Sequence, residues 1–139
     1  MKLKGRIYKQ MVRPCMMFGS ECWGLRKAEE NMLHVAEMRM LRRSCGVTLM
    51  DKCPNEDIRQ RMRTRPIADK LMERRLCWHG HVLRRGNSEL LKRVEGMQGR
   101  PKLSLSTKVR EDLRAIGLQE KDAQDRAHWR LCCRFADPP

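Results

Sequence analysis

The sequence has little of what builds a large and rigid core. Aromatic residues make up only 4% of its 139 residues, and its mean hydropathy is -0.72. Eleven methionines supply much of the apolar volume, and methionine specifies packing weakly because its side chain is flexible. A chain of this length forms one domain or two small ones. We therefore expect a small and loosely packed helical protein.

Long apolar runs and secretory features are also absent. The N-terminal stretch MKLKGRIYKQ has no apolar segment behind its lysines, as a signal peptide would. The nearby run CMMF is far too short to span a bilayer. Seven cysteines are an odd number for a chain without a secretory signal, so we interpret them as reduced thiols. These features predict a nuclear or cytoplasmic protein that is neither secreted nor membrane-bound.

Residue patterns for catalysis are missing as well. The chain has no glycine loop that could cradle a phosphate, no clustered carboxylates for two-metal chemistry and no nucleophile beside its histidines. Cys77 and His81 have an i, i+4 spacing that zinc could use, but no Cys-x-x-Cys pair accompanies them. The alternative is that Trp78 is a packing anchor and His81 a hydrogen-bonded helix residue. We expect no enzyme activity, no cofactor and no metal site.

What the sequence does contain is helical periodicity. Residues 27–45 predict a helix that ends at Gly46, and its apolar face comprises Leu33, Ala36, Met40, Leu41 and Ser44. Asn55 is a good N-cap for a second helix that stops before Pro66. A third helix is predicted from Pro66 to Arg84, with Gly80 as a weak point. Its apolar stripe comprises Ile67, Leu71, Trp78 and Val82.

The last third of the chain adds a loop and two more helices. Glycines and prolines predict a basic loop near residues 95–106, with one short helix before it at 89–94. TKVREDLRAIG then predicts a helix that ends at Gly117. QEKDAQDRAHWRLCCRF predicts a continuous helix with Ala123, Ala127 and Leu131 on one face. Together the elements predict an all-α assembly of about five helices.

The net charge of +14 favours an anionic partner, most often nucleic acid. Residues 55–102 carry 13 Lys and Arg against 6 Asp and Glu, whereas residues 103–139 carry 7 against 6. The near-neutral last part argues against a DNA-reading helix-turn-helix, because phosphate contacts need cations. We predict a surface that tracks the backbone of RNA or DNA without sequence specificity, and the alternative is a solvated basic face. The surface would comprise Arg59, Arg61, Arg63, Arg65, Arg74, Arg75, His81, Arg84, Arg85, Arg100 and Lys102.

Several stretches, in order along the chain, carry a family resemblance. They are KGRIYKQMVRPCMMFGSECWGLRKAEENMLHVAEMRMLRRSCGV, NEDIRQRM, PIADKLMERRLCWHGHVLRR, RVEGMQGRPK and DLRAIGLQEKDAQDRAHWRLCCRFADPP. The series resembles the end of the reverse transcriptase region of RTE/BovB-like non-LTR retrotransposons (LINEs). The resemblance implies that residues 1–50 are a thumb-like helical segment and residues 51–139 the element's C-terminal domain. It also implies that these parts hold RNA template and target DNA beside the rest of a reverse transcriptase.

The chain departs from that family pattern at three places. It has Cys77 where the family has Arg, Arg43 where the family often has Trp, and the sequence LSLS at 103–106 where a Trp follows GRPK. These departures predict a decayed copy of the element. The leading hypothesis is therefore a non-catalytic nucleic-acid-binding remnant. The alternative is an interaction protein or a functionless translated fragment, which predicts an uncovered Met-rich surface around Met11–Trp23.

The final letters FADPP resemble the aromatic-Ala-Asp-Asp box of reverse transcriptases without its second Asp. A polymerase Asp pair needs a turn between buried strands and a third carboxylate for the metal ions. Here Phe135 follows a helical pattern, and Pro138 restricts Asp137 in a way that suits the end of a helix. In the family that the chain resembles, the C-terminus also reads ADP after a basic helix. We therefore interpret the letters as a tail and not as a lost active site.

Overall fold

The computed structural model describes residues 2–85 and 105–138. Within these ranges the regular structure is helical and contains no strand, which confirms the predicted all-α fold. The short helix predicted at 89–94 and most of the loop predicted near 95–106 lie outside the described residues. The last two residues of that loop range, 105 and 106, already belong to a helix.

The described residues form several α-helices in order along the chain. We number the α-helices α1 (Lys2–Ile7), α2 (Arg13–Met16), α3 (Lys27–Cys45), α4 (Asn55–Met62), α5 (Ile67–Arg84), α6 (Leu105–Ile116) and α7 (Arg126–Cys132). A π-helical turn, Tyr8–Val12, makes one continuous helical stretch of α1 and α2. Short 3-10 turns lie at Ser20–Cys22 and Glu120–Gln124. None of the described helices is long and apolar enough to cross a bilayer.

Helix α3 has the predicted bounds, but its buried face matches the predicted one only in part, since Leu41 is buried as expected. It runs from Lys27 to Cys45, and Gly46 follows with a φ of +68°, the left-handed conformation expected just after a helix. The buried residues are Glu37, Met38 and Leu41. Ala36, which the apolar pattern placed inside, is exposed. The pattern was wrong here because a buried carboxylate, which no count of apolar residues detects, lies on the inner face.

The starts of α4 and α5 differ from the prediction by one residue each. Pro54 is the cap residue of α4, and Asn55 is its first helical residue. The Asn55 side chain accepts a hydrogen bond from Arg42 at 2.7 Å instead of capping its own helix. Helix α5 begins at Ile67, directly after Pro66. Its stripe is confirmed as buried except at Trp78, which is half-buried.

The prediction of one continuous helix after Gln119 was wrong. The chain leaves the helical conformation at Asp125, whose carboxylate accepts hydrogen bonds from the backbone N–H groups of Ala127 and His128 at 2.9 and 3.0 Å. Asp125 is thus the N-cap of a new helix, α7. The break resets the helical face, so that Ala127 and Leu131 are exposed. Trp129 is buried instead.

The chain divides into two compact units. The first unit comprises residues 1–18, 27–70 and 135–139, and the second comprises residues 19–26 and 71–134. The division predicted from the family resemblance, between residues 50 and 51, stays a prediction. All seven cysteines are free thiols, as expected for a chain without a disulfide framework.

The first unit packs its core around the helical stretch Lys2–Met16 and helices α3 and α4. The buried core residues are Tyr8, Met38, Leu41, Ile58 and Met62. The fully buried carboxylate of Glu37 lies beside them. It accepts a hydrogen bond from the Tyr8 hydroxyl at 2.8 Å and another from the Ile67 backbone N–H at 3.2 Å. A single carboxylate therefore ties α3 to the N-terminal helical stretch and to the start of α5.

The second unit packs its core around Trp129. The buried residues of this core are Leu76, Leu105, Val109, Leu113, Ala123, Trp129 and Cys133. The Trp129 indole N–H donates to the carbonyl oxygen of Leu76 at 3.0 Å. The indole reaches the backbone of α5 because Gly80 has no Cβ, and a Cβ built there would overlap the indole ring. Gly80, predicted as a weak point of α5, is thus the position that leaves space for the indole of Trp129, the largest buried side chain described.

Candidate nucleic-acid interface

The predicted basic residues begin with an alternating series in the first unit. Residues 58–68 contain Arg59, Arg61, Arg63 and Arg65 and no acidic residue. Arg59 is buried, with Nη2 at 3.0 Å from Nδ1 of His34 and 3.7 Å from Oε2 of Glu37. Its guanidinium is therefore committed to the interior. An exposed nucleic-acid surface does not include it.

The other three arginines of this series lie on the surface. Arg61, Arg63 and Arg65 are all exposed. Arg63 ends α4 in the left-handed conformation, with a φ of +53°. Lys9 donates to its carbonyl oxygen at 3.1 Å, which brings one further cation next to the series. Three exposed arginines therefore lie along the chain around the end of α4, with the ammonium group of Lys9 at the Arg63 carbonyl. Arg65 also lies 3.9 Å from the carboxylate of Asp69.

In the second unit, two of the predicted residues hold the fold together. Arg75 is buried, and its Nε lies 2.7 Å from Oδ2 of Asp112. Arg84 is half-buried, and its Nη1 donates to the carbonyl oxygen of Ala123 at 2.9 Å. These two arginines link α5 to α6 and to the 3-10 turn that precedes α7.

The remaining predicted residues have mixed positions. Arg74 is half-buried and lies 3.6 Å from the carboxylate of Glu21. His81 and Arg85 are exposed near the end of α5. Arg100 and Lys102 lie outside the described residues.

The sequence-based prediction of the surface left out one basic region at the N-terminus. The first 20 residues contain Lys2, Lys4, Arg6, Lys9 and Arg13 and no acidic residue. Lys4 donates to the carbonyl oxygen of Ser44 at 2.9 Å, so it places a cation at the C-terminal end of α3, where the helix dipole is negative. The signal that could have revealed this region is the absence of acidic residues from its first 20 positions.

Arg13 is buried, and its side chain contacts the FADPP sequence at residues 135–139 through Asp137. Its guanidinium donates two hydrogen bonds to the carboxylate of Asp137, at 2.9 and 2.5 Å. Burial alone would raise the pKa of Asp137, but hydrogen bonds from Arg13 and the Arg65 backbone, with the charges of Arg13 and Lys70, hold it below its usual range. Asp137 is therefore an anion inside a cluster of cations, an arrangement unlike a pair of metal-binding carboxylates.

The zinc alternative finds no ligand set in the part of the chain that the structure describes. Over residues 2–85 and 105–138, no three His, Cys, Asp or Glu side chains come together in a way that could hold a metal ion. Cys77 is exposed and lines a groove of about 630 Å³. The other residues of that groove are Glu73, Ala127, Arg130, Leu131 and Arg134.

The described residues form an all-α fold, and the chain is strongly basic. Comparison with known proteins bears on where such a chain comes from. Over 88 residues the chain is 31% identical to an uncharacterised transposon-derived protein of Caenorhabditis elegans. The match covers 60% of this chain, and it spans only 32% of that protein's length. No protein-family model matches the chain, and no solved structure matches it. The similarity supports an origin in a mobile element.

Proposed function

We propose that the chain is a non-catalytic remnant of an RTE/BovB-like reverse transcriptase that binds RNA or DNA through exposed arginines. The observation that carries the proposal is the acid-free segment at the end of α4, with Arg61, Arg63 and Arg65 all exposed. Arginine binds phosphate through a planar, bidentate fork, so such a segment suits a nucleic-acid backbone. Similarity to a transposon-derived protein supports the mobile-element origin that the proposal assumes.

The proposed surface is narrower than the predicted one. Arg59 and Arg75 are left out because each is buried beside an acidic partner. In the second unit, His81 and Arg85 stay as exposed candidates, and the half-buried Arg74 and Arg84 are secondary. Arg100 and Lys102 keep their predicted role as part of the basic loop. The proposed setting is the nucleus or cytoplasm, where both nucleic acids occur.

Fluorescence anisotropy with a labelled single-stranded RNA at several salt concentrations tests the proposal. The affinity should fall linearly on a double-logarithmic plot, because the release of counterions becomes less favourable as salt rises. Arg61→Gln with Arg63→Gln should reduce the magnitude of that slope by about 0.7 for each phosphate that is no longer bound. The same titration with single-stranded and duplex DNA ranks the partners. Absence of binding, or binding that salt does not weaken, would end the proposal.

A control with the same charge change separates a surface from bulk charge. Arg110 and Arg114 are exposed on α6, in the near-neutral part of the chain. Arg110→Gln with Arg114→Gln also removes two charges, but it should leave the slope close to the original one. If both double variants weaken binding equally, net charge explains the binding and no localised surface exists.

A second candidate is an interaction fragment without a nucleic-acid ligand. Large apolar side chains are exposed in the first unit, among them Met11 at 64%, Phe18 at 83% and Met50 at 89%. Exposed apolar groups of this size promote association with another protein or with a second copy. Light scattering and near-UV circular dichroism test this candidate. A sharply folded monomer at high concentration would count against it.

A further inference from the structure

The Phe135–Asp137 segment lies on a cluster of hydrogen-bond donors in the first unit. Arg13 donates from Nη1 and Nη2 to the two carboxylate oxygens of Asp137, at 2.9 and 2.5 Å. The backbone N–H of Arg65 donates to Oδ1 of the same carboxylate at 2.9 Å. Three N–H donors therefore converge on one anionic group.

Two further donors of the cluster hold the backbone of the segment. The Arg65 side chain donates from Nε to the carbonyl oxygen of Ala136 at 3.1 Å. The ammonium group of Lys70 donates to the carbonyl oxygen of Phe135. If the segment moved away, the donors on its carbonyls and the donors on its carboxylate would be uncovered together.

Arg13 is the deepest member of the cluster. Its side chain is only 9% exposed, and its guanidinium carbon lies 5.9 Å from the centre of the Tyr8 ring. A buried cation requires a partner anion, because leaving it unpaired in a poorly solvated place is strongly unfavourable. The Asp137 side chain keeps 18% of its surface exposed, so the anion's position is open to solvent. An anion from solution can therefore reach the place that Asp137 occupies.

We propose that Arg13, the Arg65 backbone and side chain, and Lys70 form a phosphate-binding site that Asp137 covers as an internal competitor. The ligand is a backbone phosphate of the nucleic acid, so this inference rests on the proposed function. A guanidinium fork holds carboxylate and phosphate oxygens with the same bidentate geometry. The apparent affinity for nucleic acid is reduced by the fraction of molecules in which Asp137 occupies the site.

Inorganic phosphate tests the site without nucleic acid. Asp137→Asn keeps the size of the side chain but removes its charge, which leaves Arg13 without its anion. Thermal unfolding should then show that phosphate raises the midpoint of this variant more than chloride does at equal ionic strength. The original protein should show a smaller difference between the two salts, because phosphate must first displace Asp137. Asp57→Asn is the matched control, because Asp57 is exposed in the same unit and carries the same charge.

A second measurement covers the case in which Asp137→Asn is unfolded in chloride. Circular dichroism should then record folding on addition of phosphate. In the unsubstituted protein, a phosphate titration followed by NMR should move the amide resonance of Arg65 and leave that of Arg110 unmoved. If neither the variant nor the Arg65 amide responds to phosphate beyond chloride, the site does not exist.

The nucleic-acid arm identifies the source of the phosphate. One additional bound phosphate should make the salt slope of Asp137→Asn steeper by about 0.7 on single-stranded RNA. Equal slopes for Asp137→Asn and Asp57→Asn would overturn backbone phosphate as the ligand, even if free phosphate stabilises the variant. If the unsubstituted protein binds no nucleic acid, the proposed function fails, and phosphate stabilisation of Asp137→Asn still decides the site. Salt-sensitive binding without that stabilisation keeps the function and removes the site.

Discussion

The two units carry the same net charge, but the fully buried charged group that ties each unit together is different. The first unit has 15 Lys and Arg against 8 Asp and Glu, and the second has 16 against 9, so each has a net charge of +7. In the first unit, the fully buried Glu37 accepts hydrogen bonds from Tyr8 and the Ile67 backbone and forms an ion pair with Arg59. In the second unit, the fully buried Arg75 faces Asp112. Net charge therefore says nothing about which charged groups build the interior.

Burial beside an acidic partner also decides which arginines are accessible to a ligand. Arg74 and Arg75 are neighbours in the sequence, but Arg74 is half-buried near Glu21 and Arg75 is buried beside Asp112. Arg59 and Arg61 differ in the same way. In both units, the buried arginine is the one that lies beside a buried acid of another helix, Glu37 for Arg59 and Asp112 for Arg75.

The largest expected effect concerns the tie of the second unit. Asp112→Ala leaves the Arg75 charge without its carboxylate in the core, which should lower the free energy of unfolding by about 3–5 kcal/mol. Chemical denaturation followed by circular dichroism measures the loss. Replacing both partners, with Arg75→Met and Asp112→Leu, should recover much of the loss, because apolar residues need no buried partner. A double variant as unstable as Asp112→Ala would mean that Arg75 stabilises the unit through other contacts.

The first unit should respond more mildly to the loss of its own buried charge. Glu37→Gln keeps an acceptor for the Tyr8 hydroxyl, and Arg59 retains the nearby carboxylate of Glu56 at 3.5 Å. We expect a decrease of about 2–3 kcal/mol in the free energy of unfolding, since charge-assisted hydrogen bonds become neutral ones. Denaturant titration of Glu37→Gln beside Asp112→Ala compares the two ties directly. A larger loss from Glu37→Gln would reverse their order.

A smaller effect is expected at the contact between α5 and the Trp129 indole. Gly80→Ala introduces a methyl group where the indole lies, and such overpacking costs about 1–3 kcal/mol. Alanine also favours the helix over glycine by about 1 kcal/mol, which offsets part of that cost. The net loss should shrink when Trp129→Leu makes room. Additive losses in the double variant would show that the methyl group and the indole do not compete for the same space.

Local patterns made much of the fold predictable, whereas distant partners did not. The ends of helix α3 were predicted correctly because the signals that set them, its apolar periodicity and the glycine that follows it at position 46, are local in the sequence. The burial of Arg75 was not predictable, because Asp112 lies 37 residues away along the chain. Asp125 was missed although its type is a preferred N-cap, because the spacing of Ala123, Ala127 and Leu131 imitated one continuous helix. Prediction of the nucleic-acid surface has the same limit, because the exposure of each arginine depends on acidic partners that are distant in the sequence.

The smallest expected effect is on stability in acid. It compares Asp137 of the first unit, which binds groups distant in the sequence, with Asp125 of the second unit, which binds groups of its own helix. Asp137 binds Arg13 and the Arg65 backbone, whereas Asp125 binds two N–H groups of its own helix. Hydrogen bonds hold the pKa of both carboxyl groups below the usual value.

A carboxyl group with a depressed pKa contributes stability that is present above its unfolded pKa and is lost as the pH falls through its folded pKa. Asp137→Asn should therefore flatten the loss of stability below the ordinary aspartate pKa of 3.8. Asp125→Asn should change the acid dependence less, because asparagine is itself a good N-cap. Thermal unfolding between neutral pH and the acid limb compares the two variants with the unsubstituted protein. If both flatten the acid limb equally, the contact between Asp137 and Arg13 stabilises the fold no more than a helix cap does, and a competing anion would displace it easily.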